Sequence, residues 1–398
     1  MTELIQFAGL SFVLALDIVW WIVAMRLAKR RFYRLIVSLF MTIQLCCGIL
    51  MAARVDLSLY LPTAMLAAII IWHFFCIPAL TGVGILSLVL RAIRRWRQQA
   101  QTLQKVPVAA PGPAGENSIS RRYFIGACAA LVPPLATFSI TGIAMAQINK
   151  FRVRRFVLSL PSLPKALDGV TIAHVSDVHV GQWTHGPVLK KIVKSTNALR
   201  ADLVVVTGDL INYELSDLSE SIGLLKEMHG RYGLYMVEGN HDLFENGPEF
   251  VRRVKRSGLA LLVDETRLCE VRGCPVQFLG LRWTDGVYGP DDRVISGQLR
   301  EMMRQRQPDA FPIFLAHHPH AFDAAIQNGL PLTLTGHTHG GQLMLDRNIG
   351  VGPMLFRYWS GLYKRGQSQL IVSNGVGNMF PIRINAPAEL AHITLRCA

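Results

Sequence analysis

Two patterns of apolar residues divide this chain into two parts. Up to residue 105 the apolar runs are long: 4–25 is uncharged except for Asp17, 35–53 is uncharged, and 57–90 lacks Asp, Glu, Lys and Arg throughout. About 20 apolar residues are enough for one helix to cross a bilayer. We therefore predict an all-α transmembrane region over 1–105 with three spans, in which 57–90 is kinked or has an interfacial extension, or four spans if 57–90 forms two.

The composition changes after residue 105. Residues 106–120 are rich in Pro, Gly and Ala, a linker composition that sustains neither helix nor strand. The segment 121–148 begins with Arg-Arg-Tyr-Phe-Ile after Ser120 and continues as a moderately apolar stretch. We interpret it as a twin-arginine-like signal retained as an anchor span, in preference to an ordinary fourth span with a basic inner flank. A basic connector is predicted over 149–167.

Basic residues predict the orientation of the spans. Lys and Arg favour the cytoplasmic side of a bilayer, which places 26–34 and 91–105 inside and the N-terminus outside. Twin-arginine export would place the rest of the chain in the periplasm, at the inner membrane of a bacterium, although the flank from Lys150 to Arg155 is unusually basic for that side. Within its span, Asp17 is a functional candidate. We favour a bundle-facing, hydrogen-bonded Asp17, because no second intramembrane acid or base accompanies it.

The net charge of +14 lies mostly near the predicted membrane spans. Residues 1–150 hold 14 Lys and Arg against 4 Asp and Glu, whereas the remainder holds 27 against 23. Charge that flanks apolar spans sets orientation and differs from the basic patch of a nucleic-acid-binding domain. We expect the membrane as a partner and no nucleic acid.

Short apolar runs alternate with helix-length stretches from residue 168 to 398. Early strands are separated by predicted helices at 187–199 and 218–228, a pattern typical of α/β domains. The predicted strands are 170–175, 203–207, 234–237, 276–281, 312–316, 332–335, 369–373 and 391–395.

Metal-ligating side chains follow five of these apolar runs, at the strand ends where α/β sheets present ligand-binding residues. Three of the five groups are introduced by glycine, which permits a tight turn before the ligand. In order, the groups are Asp177-Val-His179, Gly-Asp209, Gly-Asn240-His241-Asp242, His317 within Ala-His-His-Pro, and Gly-His337-Thr-His339. Five such groups in order predict one dinuclear metal site. Mixed carboxylate, amide and imidazole ligands suit Mn, Fe or Zn.

This ordered set resembles the calcineurin-like metallophosphoesterase superfamily over roughly 168–398. Gly340-Gly-Gln and the stretch from Gly375 to Arg383 resemble a bacterial membrane-anchored or twin-arginine-exported type. The resemblance implies a metallophosphoesterase-type β-sandwich flanked by helices, with Asp209 bridging two divalent metal ions. It implies the further ligands Asp177, His179 and His339 for one ion and Asn240, His317 and His337 for the other. His318 is the alternative to His317.

The same resemblance implies roles for residues that bind no metal. His241 would face the substrate phosphate, and Asp242 would orient His241. Arg383 would contact a phosphate or serve as a structural ion-pair partner. The implied activity is hydrolysis of phosphodiester or phosphomonoester bonds by in-line attack of a metal-bridging hydroxide, on envelope or lipid-linked substrates. The alternatives are a nucleotide-lipid pyrophosphatase of the UDP-diacylglucosamine type, which a cytoplasmic domain would fit better, and a non-catalytic membrane binding or scaffold protein.

Overall fold

The computed structural model describes residues 2–53, 55–101, 121–284 and 291–398. Two compact units are present, Met1–Ala144 and Met145–Ala398. The predicted linker 106–120 lies outside the described residues.

The first unit is helical. Among the described residues, three helical stretches are long and apolar enough to cross a membrane, at 31–52, 63–98 and 123–147. A π-helical turn, Trp72–Cys76, joins α3 to α4, so residues 63–101 form one helix with a local distortion. The helices are α1 Thr2–Leu27, α2 Arg31–Ala52, α3 Thr63–Ile71, α4 Ile77–Gln101 and α5 Arg121–Gln147.

Asp17 is fully buried inside this first unit. Its Oδ1 accepts a hydrogen bond from Trp72 Nε1 over 2.7 Å, and its Oδ2 lies 3.0 Å from His73 Nε2. Asp17 therefore faces the bundle as predicted. The reason given for that prediction was wrong, because His73 is a second ionisable group beside it.

In the part of the second unit that the structure describes, the strands form two six-stranded sheets. The first has the order β1-β12-β2-β3-β4-β5 and the second the order β10-β11-β9-β8-β7-β6. Strands β2 to β5 run parallel in the first sheet, and β7, β8, β9 and β11 run parallel in the second. The strands are β1 Phe151–Leu160, β2 Thr171–Val175, β3 Leu203–Thr207, β4 Leu234–Val237, β5 Ala260–Leu261, β6 Glu265–Val271, β7 Cys274–Gly280, β8 Phe311–Leu315, β9 Leu332–Thr335, β10 Gly361–Arg365, β11 Ser368–Val372 and β12 Ala388–Cys397.

Apolar side chains from both sheets form the central core, with Val205 and Val237 from the first sheet among Phe278 and Leu334 from the second. Helices cover the two outer faces, α6 to α8 on the first sheet and α9 with α10 on the second. These helices and α11 are α6 Pro187–Ala198, α7 Leu218–Lys226, α8 Gly247–Arg256, α9 Asp292–Arg304, α10 Ala321–Gln327 and α11 Val351–Leu355. The β-sandwich flanked by helices that the resemblance implied is confirmed.

Strand β1 corrects one predicted boundary. It lies within 149–167, which we predicted to be a connector, and pairs in parallel with β12 along ten residues. Its basic side chains are accommodated because Arg152 and Arg154 flank the buried Glu389, with nitrogen to oxygen distances of 2.6 and 3.4 Å. Phe156, Leu158 and Leu160 on the strand enter the central core. The second compact unit therefore includes this segment.

Candidate metal centre

All seven predicted metal ligands follow carboxyl ends of parallel strands. Those of the first sheet follow β2, β3 and β4, and those of the second follow β8 and β9. Five of the seven have a left-handed backbone, which is uncommon for residues other than glycine. Their φ angles are 52° at Asp177, 48° at His179, 53° at Asp209, 72° at His337 and 49° at His339. Such conformations concentrate at functional sites, where the surrounding structure enforces them.

Asp177, His179 and His339 form the first cluster. The Nε2 atoms of the two histidines lie 2.9 Å apart, and His339 Nε2 lies 3.4 Å from Asp177 Oδ1. The three residues are at most 1% exposed. His179 follows a strand of the first sheet and His339 a strand of the second. The cluster therefore connects the two sheets at the carboxyl ends of these strands.

Asn240, His317 and His337 form the second cluster. His337 Nδ1 lies 3.0 Å from Asn240 Oδ1 and 3.3 Å from His317 Nε2. His317 Nδ1 donates to the carbonyl of Thr207 over 2.7 Å, which directs Nε2 toward the cluster. The neighbouring His318 instead accepts at Nδ1 from the backbone of His320. The structure thus brings His317, the first choice from the sequence, into the site.

Asp209 lies between the two clusters. Its Oδ2 is 3.5 Å from His179 Nε2 and 3.1 Å from His317 Nε2. Its Oδ1 accepts from the backbone N–H of His241 over 2.9 Å. A carboxylate that reaches both nitrogen-rich groups is placed to bridge two cations.

The donor set fits divalent metal ions. The Nε2 atoms of the buried His179 and His339 rings face each other over 2.9 Å, and only one proton can lie between them. A nitrogen lone pair is therefore directed into the first cluster. Burial lowers the pKa of both His179 and His337 to about 3, which keeps these rings in the neutral form that binds metals. Burial alone would lower the pKa of His317, but the charge and the hydrogen bond of the Asp209 carboxylate raise this pKa to about 9. A metal ion would compete with that proton for Nε2.

His241 lies beside the clusters and is half-buried. Its Nδ1 is 2.6 Å from the carbonyl of Asn212, so Nδ1 carries the donated proton and Nε2 is left to accept or release another. Its ring packs against Phe244 with centroids 4.5 Å apart. The predicted orienting role of Asp242 is corrected, since the carbonyl of Asn212 orients His241.

Asp242 instead connects the loops that carry Asp209 and Asn240. Its Oδ1 accepts from the N–H groups of Leu210 and Ile211 over 2.8 and 3.1 Å, and its Oδ2 accepts from Gly239 N–H over 2.9 Å. The side chain is 1% exposed. Asp242 therefore fixes the backbone of the loops that carry Asp209 and Asn240, and its buried side chain does not face a substrate.

The predicted role of Arg383 is also corrected. The suggested phosphate contact is excluded because its side chain is fully buried. Its guanidinium donates to Asn378 Oδ1 and to three carbonyls, and Nη2 lies 3.0 Å from His339 Nδ1. Burial lowers the pKa of Arg383 to about 10. Arg383 therefore contacts His339 at Nδ1, on the opposite side of the ring from Nε2, and fixes the neighbouring loop by hydrogen bonds to its carbonyls.

A series of hydrogen-bonded polar side chains next to Asp177 was not predicted from the sequence. His174 Nε2 lies 2.8 Å from Thr207 Oγ1, which donates to Ser176 Oγ over 2.8 Å, and Ser176 Oγ donates to Asp177 Oδ2 over 2.5 Å. Strand alternation was the available signal, because 174 and 176 lie on the same face of β2 and its extension. Outer groups of this kind orient metal ligands.

Residues 170–341 match the family model described as calcineurin-like phosphoesterase. The chain is 26% identical to a metallophosphoesterase of Campylobacter jejuni over 61% of this chain and 63% of that protein. It is 28% identical to a transmembrane protein with metallophosphoesterase domain from Danio rerio, over 61% and 56%, and 27% identical to a metallophosphoesterase of Bacillus subtilis, over 59% and 82%. The chain thus matches less than two thirds of the first two relatives.

Proposed function

We propose that the chain is a membrane-anchored, two-metal hydrolase of phosphoric esters, since residues 170–341 match the family model described as calcineurin-like phosphoesterase. The observation that carries this proposal is the position of Asp209, which lies within 3.5 Å of a histidine from each cluster. One bridging carboxylate between two imidazole-rich groups suits a pair of cations better than a single one.

The predicted ligands divide between two metal ions, and His241 has a separate role. Asp177, His179 and His339 would hold one ion, Asn240, His317 and His337 the other, and Asp209 both. Divalent Mn, Fe or Zn held there supplies Lewis acidity toward a phosphoryl group and lowers the pKa of water. His241, with Nδ1 held by the carbonyl of Asn212, is placed to give a proton from Nε2 to the leaving oxygen.

The proposed substrate is a phosphodiester or phosphomonoester of the cell envelope, with lipid-linked esters favoured. Three helical stretches long and apolar enough to cross a membrane support membrane anchoring, and two relatives are named as transmembrane proteins. We place the chain in a bacterial inner membrane as a multi-pass protein, with the domain outside the cytoplasm because of the arginine pair at the start of α5. A cytoplasmic domain would favour the nucleotide-lipid pyrophosphatase. A reporter fused after Ala398 distinguishes these two locations.

The test uses the full chain in detergent, loaded with Mn, Fe or Zn, on bis(4-nitrophenyl) phosphate and 4-nitrophenyl phosphate. We expect hydrolysis that is lost in Asp209→Asn and reduced on the order of 100-fold in His241→Ala, the usual contribution of a positioned acid. His229→Ala is the matched control, because His229 is exposed. Full activity in Asp209→Asn would refute the site, and an inactive metal-loaded protein would favour the non-catalytic binding protein.

A further inference from the structure

The loop and helix from Met344 to Phe356 expose large apolar side chains to an unusual extent. Leu345 is 80% exposed, Ile349 57%, Met354 81% and Leu355 67%. The backbone beneath them is ordered by hydrogen bonds, including Leu345 N–H to the carbonyl of Ile349 over 2.8 Å. We call Leu345, Ile349, Met354 and Leu355 the apolar rim. Four large apolar side chains exposed within one short structured segment indicate an interaction surface.

One end of this segment is tied to the end of a helix long enough to cross a membrane. Gln147 is the last residue of α5, and its Oε1 accepts from the backbone N–H of Asn385 over 2.8 Å. Asn385 Nδ2 donates in turn to the carbonyls of Met344 and Leu345 over 2.9 and 3.1 Å. Only one side chain therefore separates the start of the apolar rim from the end of α5.

The other end of the segment reaches the metal centre. Phe356 directly follows Leu355, and its ring centroid lies 5.8 Å from that of the predicted ligand His337. Across the site, Phe244 packs on His241 and is 49% exposed. The apolar rim thus extends from the end of α5 to the edge of the metal centre.

Charges beside the apolar rim suit a lipid surface. Arg152, Arg154 and Arg347 line a cavity of about 640 Å³ together with Leu345. The opposing acids are Asp346, which lines the same cavity, and Glu389, which pairs with both Arg152 and Arg154. Lys150, three residues after Gln147, is exposed. Apolar side chains next to Lys and Arg are typical of segments that lie in the membrane interface.

We propose that the apolar rim inserts into the interface of the bilayer that holds α5, which places the entrance of the metal centre at the lipid headgroups. The occupant of this surface is the bilayer because the rim begins at the end of α5. A phosphate ester carried on an acyl chain would then reach the metals without leaving the membrane. This consequence, though not the insertion itself, rests on the proposed function.

Lipid cross-linking tests insertion without relying on activity. The full chain is reconstituted into phosphatidylglycerol-containing vesicles with benzoylphenylalanine at position 345 or 354, or at the control positions 268 or 294. Leu268 and Val294 are also exposed, at 42% and 45%, on β6 and α9. We expect lipid adducts at 345 and 354 several-fold above the controls. Equal adducts at all four positions, or cross-links to a second copy of the chain, would overturn the proposal.

Kinetics test the consequence for the substrate. Ethyl 4-nitrophenyl phosphate in water is compared with hexadecyl 4-nitrophenyl phosphate in vesicles, using the variant Met354→Gln/Leu355→Gln. We expect the variant to turn over the ethyl ester as wild type does and to raise KM for the hexadecyl ester about tenfold, equivalent to about 1.4 kcal/mol. An unchanged KM for the hexadecyl ester would contradict the inference. Failure of wild type on both esters would instead count against the proposed function, and cross-linking would then decide insertion alone.

Discussion

Gly336 is a position where one added carbon should disrupt the metal centre without removing a ligand. A Cβ there would lie 1.9 Å from Ser176 Oγ and 2.2 Å from Asp177 Oδ2. Neither atom has freedom to move aside, because Ser176 Oγ donates to that carboxylate and His337 N–H donates to both of its oxygens over 3.0 and 3.1 Å. Non-bonded atoms settle near 3.5 Å, so the carboxylate must shift by about 1 Å or more.

That shift sets the expected magnitude. A displacement of about 1 Å in an active site lowers the rate on the order of 100-fold, and overpacking a buried site destabilises a fold by roughly 1–3 kcal/mol. We expect Gly336→Ala to lose metal at the cluster of Asp177, to lower kcat/KM on the aryl phosphodiester by about 100-fold or more, and to unfold at a lower temperature than wild type.

The assays are metal content by elemental analysis, kcat/KM and thermal unfolding, on the full chain in detergent. Gly223→Ala is the matched control, because Gly223 lies in α7 and an added Cβ there meets nothing within 4 Å. The control should keep its metals and gain roughly 0.5–1 kcal/mol of stability from the helix. If Gly336→Ala kept full metal content and wild-type kcat/KM, the argument from close approach would be refuted.

Three further outcomes are expected. His317→Ala should lose metal while His318→Ala keeps it, by elemental analysis; equal loss would mean the ligand assignment is wrong. Asp242→Asn should lower the free energy of unfolding by roughly 1–3 kcal/mol, because an amide NH₂ would face backbone donors, and an unchanged melting temperature would contradict this. Burial lowers the pKa of His174 to about 3. His174 therefore takes up a proton in the unfolded chain at a pH where it stays neutral in the folded chain, and stability is lost as pH falls below about 6.5. Between pH 7 and 5 this loss is about 2 kcal/mol, which His174→Gln should abolish; equal pH slopes in both proteins would refute it.

The strands that sequence patterns predicted are those buried on both faces. All eight predicted runs are strands, since central parallel strands are continuous apolar segments. The strands that were missed include β1, β6 and β10, which lie at sheet edges and carry polar side chains. In β1 the basic residues concealed the pattern, because their partners Glu389 and His392 are more than 230 residues away in the chain.

The clustering of the predicted ligand residues followed from the sequence, whereas the contacts of their neighbours did not. Asp242 was predicted to orient His241, and Arg383 to contact a phosphate or to serve as a structural ion-pair partner. Both are buried and instead bond to backbone groups of the loops that carry the predicted ligands. Burial depends on long-range packing that no local spacing encodes. His174 lies within the predicted strand 170–175, and only the pairing of β2 with β3 places it beside Thr207.

The left-handed ligand residues explain how two sheets build one centre. Alternate residues of an extended strand share a face, but the strand ends at Val175 and the following ligands must turn together toward the opposite sheet. Positive φ at Asp177 and His179, and again at His337 and His339, bends each loop twice within three residues. Each such conformation costs about 1 kcal/mol or more, and hydrogen bonds between the loops hold it, as from His179 N–H to the carbonyl of Asp209 over 3.0 Å. Because each cluster takes ligands from both sheets, bound cations would add a bond between the sheets at the edge where the strands end.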